Sequence, residues 1–470
     1  MSQTTASAGS QVESAGPRPG VDRHPVGLYI LFATEMWERY GFYTILAVMT
    51  LYLQDKTQGF GWTKEQATRL WANNLMFVYL TPFVGGWIAD RFLGYRRSIL
   101  IGGAVFVAGY LLLGTGSIAL FYVALALIYV GNGFFKPNIS TMVGNLYPAG
   151  SPLRDSAYNI FYMGINVGAF AAPLVAEVLR QKYGFRTAFF AAGIGMALGT
   201  VLFAFCYRWL RLAERHEPVE DARPIELAED LLPVPEKSTM EQVPTWKRIS
   251  ALVVIYGIVI VFWMVFHQNG STMTYWANDN TDWTASRVTP ILIQIFTLNL
   301  IDGSNVSGVI SNAINPFWII VLSMPLVRFW RWLNSKGLEP STPAKIALGM
   351  ILTSMAFLIL ALGGIMGGDT GRVSPWWIIG AYFVISLGEL MLSPMGLSLV
   401  SKVAPPHMRG LMMGGWFVAT ALGNKLTQIG EYWTVWSHSK FWLVLASMSF
   451  GMALVMLALL KPLKRAMPGV

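Results

Sequence analysis

The chain has 470 residues, of which 54% are apolar and only 13% charged, about half the charged share of roughly 25% that a soluble globular domain carries. A soluble enzyme is thereby excluded, and the formal charge of +9, spread over short links and not gathered into a basic domain, argues against nucleic acid as a partner. One cysteine, Cys206, permits no internal disulfide, and no Cys/His cluster has metal-ligand spacing, so neither a metal nor another cofactor is expected.

What remains is a polytopic protein with the lipid bilayer as its solvent. Residues 1–25 are rich in Ser, Thr, Gly and Pro and lack the apolar core of a signal peptide, so they read as a disordered tail left on the side of synthesis. A crossing helix needs about 20 mostly apolar residues. By that measure spans fall near 26–53, 70–90, 98–116, 119–147, 155–178 and 187–210, then near 249–277, 305–332, 343–366, 375–402, 410–430 and 440–461. The fold class is an all-α membrane protein with twelve transmembrane helices.

The apolar run Val288 to Ile301 is too short to cross comfortably and reads as interfacial, or as loop packed on the bundle. The stretch 211–248, polar and rich in Glu and Pro, reads as a linker between an N-terminal six-helix bundle, 26–210, and a C-terminal one, 249–461; a short tail, 462–470, closes the chain. Most of the 34 Lys and Arg fall on the tails, the linker and the even-numbered links. By the positive-inside rule both termini and the linker are cytoplasmic. In the fourth span FFKPNIS (Phe134 to Ser140) and in the tenth LSPMGLS (Leu392 to Ser398) each place a proline in mid-span with a serine after it, a faint trace of a duplicated plan. A proline there removes a helix hydrogen bond and favours a bend, which suits a moving helix but is also common in static ones.

Charges inside spans carry the functional argument, because an ionised side chain at mid-bilayer costs at least ~2.5–3.5 kcal/mol on insertion scales. They are Glu35, Glu38, Arg39, Lys136, Glu389 and Lys425, the last less clearly inside. In EMWER, Glu35 and Arg39 stand at i and i+4 on one helix face, with Glu38 beside Arg39. Two acids beside one cation leave a carboxylate able to bind a proton. The plainer reading, a cluster that only neutralises itself and stitches helices, stands beside it. Lys136 adds a second cation to the N-terminal half, whereas Glu389 lies in the other half. A cavity between the halves would be positive on one wall and negative on the other. That polarity fits a zwitterion, its carboxylate on Arg39 and Lys136 and its ammonium on Glu389. A dipeptide, at up to ~3.6 Å per residue, is short enough to bridge such a gap.

Five strings in order, EMWERYGFY (Glu35 to Tyr43), GGWIADRFLGYRRS (Gly85 to Ser98), GNGFFKPNIST (Gly131 to Thr141), NIFYMGINVGA (Asn159 to Ala169) and GELMLSPMGLS (Gly388 to Ser398), together resemble the proton-dependent oligopeptide transporter family. The resemblance runs from about Gly27 to Lys461. It implies a major facilitator fold of two pseudo-symmetric six-helix bundles, alternating access, and uptake of di- and tripeptides driven by protons. It implies proton binding at Glu35 and Glu38, with Arg39 as salt-bridge partner and contact for the peptide carboxylate. Lys136 is then the second cationic partner, Asn166 bonds the peptide backbone, and Glu389 takes the amino group with Ser393 one turn below. Tyr43, Tyr79, Trp263, Asn315 and Trp416 match pocket positions, although lone aromatics in a bundle are more often packing. The loop with Gly86, Asp90, Arg91, Gly94, Arg96 and Arg97 resembles the general facilitator signature, a cytoplasmic gate in which Asp90 pairs with a basic group or caps a helix in one state and releases it in another. The same residues also serve as a positive-inside loop.

Two departures from the family pattern stand out. Many members carry a second arginine seven residues after the one in ExxER, where this chain has Leu46. The seventh span usually reads FEQ or FDQ; here FWMVFHQNGS places His267 at the acid's position. Histidine titrates near pH 6.5 unless its surroundings shift it. A second proton site, a neutral hydrogen-bonding stand-in and a packing histidine all remain open for it. His24, His216, His407 and His438 sit at edges or in tails and are expected to do no chemistry. The rival function is a facilitator for another small anion or metabolite, such as nitrate, against which Lys136 and Glu389 together favour zwitterions. An intramembrane enzyme is disfavoured, since no HExxH or GxGD motif occurs and the buried charges are of salt-bridge type. A monomer in the cell (inner) membrane is expected.

Overall fold

A bilayer core offers no partner for backbone N–H and C=O groups, so a crossing segment must close its hydrogen bonds internally. The computed structural model describes residues 23–147, 153–214, 240, 243–405 and 408–468, and most of these are helical. In chain order the α-helices are α1 (Val26–Gln54), α2 (Lys64–Ile88), α3 (Gly94–Leu113), α4 (Ile118–Asn145), α5 (Leu153–Tyr183), α6 (Phe185–Phe205), α7 (Thr245–Phe266), α8 (Thr272–Asp279), α9 (Val288–Phe296), α10 (Ile314–Ser335), α11 (Thr342–Gly367), α12 (Trp376–Val403), α13 (Arg409–Leu426), α14 (His438–Ala458) and α15 (Leu460–Ala466). Twelve of them, α1–α7 and α10–α14, are long enough to be the expected spans. Residues 1–22 of the tail and most of the linker, with His216 and His407, lie outside the described residues.

Nine helical runs among the described residues are long and apolar enough to cross a membrane. One of them, Lys64–Leu113, holds both α2 and α3. The two long helices outside the nine are α1, with Glu35, Glu38 and Arg39, and α13, with Lys425.

Local chemistry explains the ends and breaks. At the start of α2 the Thr63 hydroxyl accepts from the Gln66 N–H (3.3 Å) while the Gln66 side chain accepts from the Thr63 N–H (3.0 Å), a reciprocal cap for two orphan donors. Between α2 and α3 the backbone widens into a π-turn, Ala89–Leu93, and reverses at Gly94, whose φ of 72° favours glycine. The seventh expected span, 249–277, is not one rod. It breaks after Phe266 into a 3-10 turn, His267–Gly270, before α8 resumes, and the Gln268 amide bridges the break by donating to the carbonyls of Met264 (3.2 Å) and Thr427 (3.1 Å). Val288–Phe296 is a short helix with Thr289 and Ile293 buried and Ile291 and Ile295 exposed, packed through Phe296 against Phe170 and Phe317.

Two apolar cores result. In the first half α1 packs on α5 and α6, α3 on α4 and α6, and α2 on α4; in the second α11 packs on α12 and α14, α7 on α13, and α10 on α12. The halves meet through the pairs α2 with α13 and α5 with α10, which occupy corresponding places in the two six-helix sets.

Among the described residues the hydrogen bonds and ion pairs between the halves lie at one end, opposite the start of α1 and the end of α14. Lys64 meets Asp279 (2.6 Å), Arg69 meets Glu431 (2.8 Å), Lys425 reaches the Asn73 amide oxygen (2.5 Å) and Gln181 the Asn305 carbonyl (2.6 Å). The Thr50 hydroxyl donates to the Gly270 carbonyl (3.1 Å) and the Trp71 indole to that of His267 (3.3 Å). Gly270 is required here, because a Cβ would stand 2.0 Å from the Trp71 ring. The structure is sealed at this end.

Candidate functional site

The first wall is built on α1, whose 3.6-residue turn brings Glu35, Glu38 and Arg39 to the bundle interior. All three side chains are buried, at 1%, 0% and 3% exposure. Arg39 forks onto both carboxylate oxygens of its neighbour Glu38, and its Nε lies 3.3 Å from Glu35 Oε1. The second oxygen of Glu35 has no hydrogen-bond partner among the described residues. The i, i+4 partner is thus the looser one and the adjacent acid the tighter. Lys136 of α4 lies 5.0 Å above the Tyr79 ring and within electrostatic reach of Arg39, Glu38 and Glu35. Leu46, about two turns further along α1, is buried in the apolar core of this half.

The second wall is simpler. Glu389 on α12 is half-buried and accepts one bond, from the Asn315 amide of α10 (3.0 Å), which also donates to the Ser386 hydroxyl (2.9 Å). No cation pairs with Glu389 among the described residues. Ser393, one turn on, has a buried hydroxyl with no partner among the described residues. Trp416 of α13 is buried beside Tyr256.

Tyrosines link the walls. Tyr43 and Tyr79 stand within electrostatic reach of Arg39 and Glu38 on one side and Glu389 on the other. Glu389 therefore faces the first wall and not the lipid. Tyr162, in the string NIFYMGIN, shares Glu389, Tyr43 and Tyr79 as neighbours. It was legible only as the residue one turn before Asn166, whose amide donates to the Tyr162 carbonyl (2.9 Å). Above them His267 stacks on Trp263 with centroids 5.0 Å apart and planes at 17°, and lies 6.0 Å from Tyr79. Its Nδ1 and the Trp263 indole N–H are buried without hydrogen-bond partners among the described residues, and the buried Asn424 amide stands beside the imidazole within hydrogen-bonding reach. Two hollows of about 320 and 330 Å³ lie away from this constellation: one at the sealed end beside Arg69 and Asn73, the other an apolar groove between α1 and α5 beside Trp37.

The gate residues lie at the opposite end from the seal. Asp90 takes the hydroxyl of Tyr95, in the first turn of α3. Arg91 lies over Trp87 (5.2 Å) and Arg96 over Tyr207 (3.9 Å), both rings of the same half, and Arg97 is exposed. Among the described residues no ion pair joins this loop to the second half. Residues that the sequence did not single out include Ser386, Asn424 and Glu177. Nothing local marks them as part of a site, since the contacts that matter here, Asn315 to Ser386, His267 to Asn424 and Ser307 to Glu177, come from other helices.

The family model described as Major Facilitator Superfamily matches residues 28–427. The dipeptide and tripeptide permease A of Salmonella typhimurium is 32% identical, over 86% of this chain and 83% of the permease. The di-/tripeptide transporter of Lactococcus lactis is 30% identical over 95% of this chain and 97% of its own, and the uncharacterized transporter YclF of Bacillus subtilis 32% identical over 97% of each. A crystal structure of the peptide transporter POT in complex with sulfate superposes with a TM-score of 0.81 at 28% identity, covering 96% of this chain and 98% of that one. The chain belongs to the major facilitator superfamily and, within it, to the proton-dependent oligopeptide transporters.

Proposed function

We infer that the protein is a proton-coupled symporter that imports di- and tripeptides by alternating access between its two bundles. The observation that carries this reading is the pair of opposed walls, Arg39 with Lys136 against Glu389, sharing Tyr43 and Tyr79 as neighbours. A peptide's carboxylate goes to the cations and its ammonium to Glu389, which has only the neutral Asn315 to give up. Asn166, Ser393, Trp263 and Trp416 supply backbone contacts and apolar surface around the side chains.

Coupling follows from competition at Arg39. While Glu38 is ionised it holds both forks of the guanidinium, and a charge-assisted bidentate pair is among the strongest polar contacts available. A proton on Glu38 or Glu35 releases Arg39 to the peptide carboxylate, and the loaded pocket then permits the halves to rock. Deprotonation restores the internal pair and expels the peptide. Charge bias in the links places the termini and the Asp90 loop in the cytoplasm, so the sealed end is the outer one. His267 has no carboxylate beside it among the described residues and stacks on Trp263, which supports a hydrogen-bonding role in the cavity roof over a carrier of coupled protons. We place the protein in the inner membrane as a monomer.

Uptake of a labelled dipeptide into proteoliposomes under an imposed pH gradient tests the reading. Accumulation competed by tripeptides but not by nitrate or free amino acids supports it. Competition by nitrate alone replaces it with an anion facilitator.

A further inference from the structure

Outside the pocket, one buried acid is unused by the mechanism. Glu177 near the end of α5 is fully buried, yet its carboxylate accepts five hydrogen bonds. Three come from its own helix: Arg180 Nε and Nη2 (2.8 Å each) and Gln181 Nε2 (3.1 Å). Two come from the other bundle, the Ser307 backbone N–H (2.8 Å) and the Ser307 hydroxyl (2.7 Å). Ser307 in turn caps the 3-10 turn Gly308–Ala313, its hydroxyl accepting from the Val309 N–H (3.2 Å), and that turn runs without a break into α10. The first turn of α10 carries Asn315, the donor to Glu389.

We propose that Glu177 is a positioning residue that ties closure of the sealed end to the presentation of Glu389. The juxtaposition is continuous: carboxylate of one bundle, cap of a rigid helical start in the other, and the amide that occupies the pocket acid. It is also a two-state element, which coupling between sites requires. When the seal opens, Ser307 leaves, but Arg180 and Gln181 travel with Glu177 on the same helix, so no charge is stranded in a dry site. Opening therefore breaks hydrogen bonds and no ion pair at this point. As the start of α10 moves off, Asn315 shifts from Glu389 and bares the carboxylate to an arriving ammonium. Closure returns Asn315 and helps to detach the peptide's amino end. Val309 reports the motion, because it belongs to the second half yet is wholly buried in the apolar core of the first.

The inference rests on the reading of Glu389 as the ammonium site, and the test separates the two. In full-length protein carrying Cys206→Ser and Val309→Cys, maleimide labelling of the position-309 thiol reads seal opening without any substrate. Affinities for a free dipeptide and its N-acetyl form, taken as a ratio, read Glu389. We expect Ser307→Ala and Glu177→Gln to raise the labelling rate on the order of tenfold, the scale of a lost hydrogen bond to a charged group. The preference for the free peptide should rise about threefold, and Ser307→Thr, which keeps the hydroxyl donor, should restore both readings. Unchanged labelling in both variants overturns the latch. Faster labelling with an unchanged ratio overturns the link to Glu389. Absence of dipeptide binding in the parent protein overturns the functional reading and the coupling with it.

Discussion

The two walls of the pocket handle charge in opposite ways. On the first, Arg39 already presents its Nε and Nη2 edge to Glu38 and is touched by Glu35, so an incoming carboxylate competes with internal ones for the guanidinium. On the second, Glu389 holds a single amide donor and meets no cation. The difference teaches where coupling can live. A wall whose charges compete with the ligand makes binding depend on protonation, whereas a wall with an unspent charge confers specificity without it.

The largest expected effect is on the competing wall. Glu38→Gln frees Arg39 permanently, so gradient-driven accumulation of dipeptide in proteoliposomes should vanish while counterflow exchange persists; a variant that still concentrates peptide would move the coupling elsewhere. Next, Lys136→Gln removes the second cation without touching the Glu38 pair, and dipeptide affinity should fall about tenfold, the scale of one charge-assisted hydrogen bond, with accumulation retained. Loss of coupling instead would show that the two cations act as one unit. A smaller change is expected at the roof. His267→Asn should leave accumulation driven by the same number of protons and shift affinity by no more than about threefold, and a reduced proton-to-peptide ratio would make it a proton site.

The smallest effect belongs to the rim of the sealed end. The Arg69 guanidinium, bonded at 2.8 and 3.0 Å, holds the Glu431 carboxyl below the usual carboxylate range. A group depressed in this way stabilises the closed rim above the ordinary value, about 4.3, and loses its contribution as the pH falls through its own lower one. Hydrogen exchange across Thr427–Thr434 should therefore be insensitive to this pair between pH 7.5 and 5.5, and rise only in stronger acid. That outcome would fit the proposal that coupling protons act in the pocket and not on this latch.

How far the sequence reached follows the same division. Long apolar runs announce helices because lipid leaves the backbone no alternative, and ten of the twelve long helices fall within the runs that meet the apolarity test. The two that do not, α1 and α13, carry charges of the pocket and the seal, so the signal fails where function put polar groups. Glu35 to Arg39 could be placed on one helix face by spacing, but spacing favoured the i, i+4 pair, and only rotamers in the packed bundle reveal the tighter hold of Glu38. The break after Phe266 was hidden because Gln268 repairs it with a carbonyl from Thr427, far along the chain. Glu177 and Ser307 lie 130 residues apart, and no local pattern joins them.

The account stands on a chamber that grips a peptide by both ends, and Glu389→Gln tests that grip most directly. Affinities of a free dipeptide and its N-acetyl form should be compared in parent and variant. The account predicts that the free peptide weakens by about 10- to 100-fold, the range for a hydrogen-bonded charge, while the blocked peptide changes by less than about threefold. Equal losses for both peptides, or none for either, would contradict it.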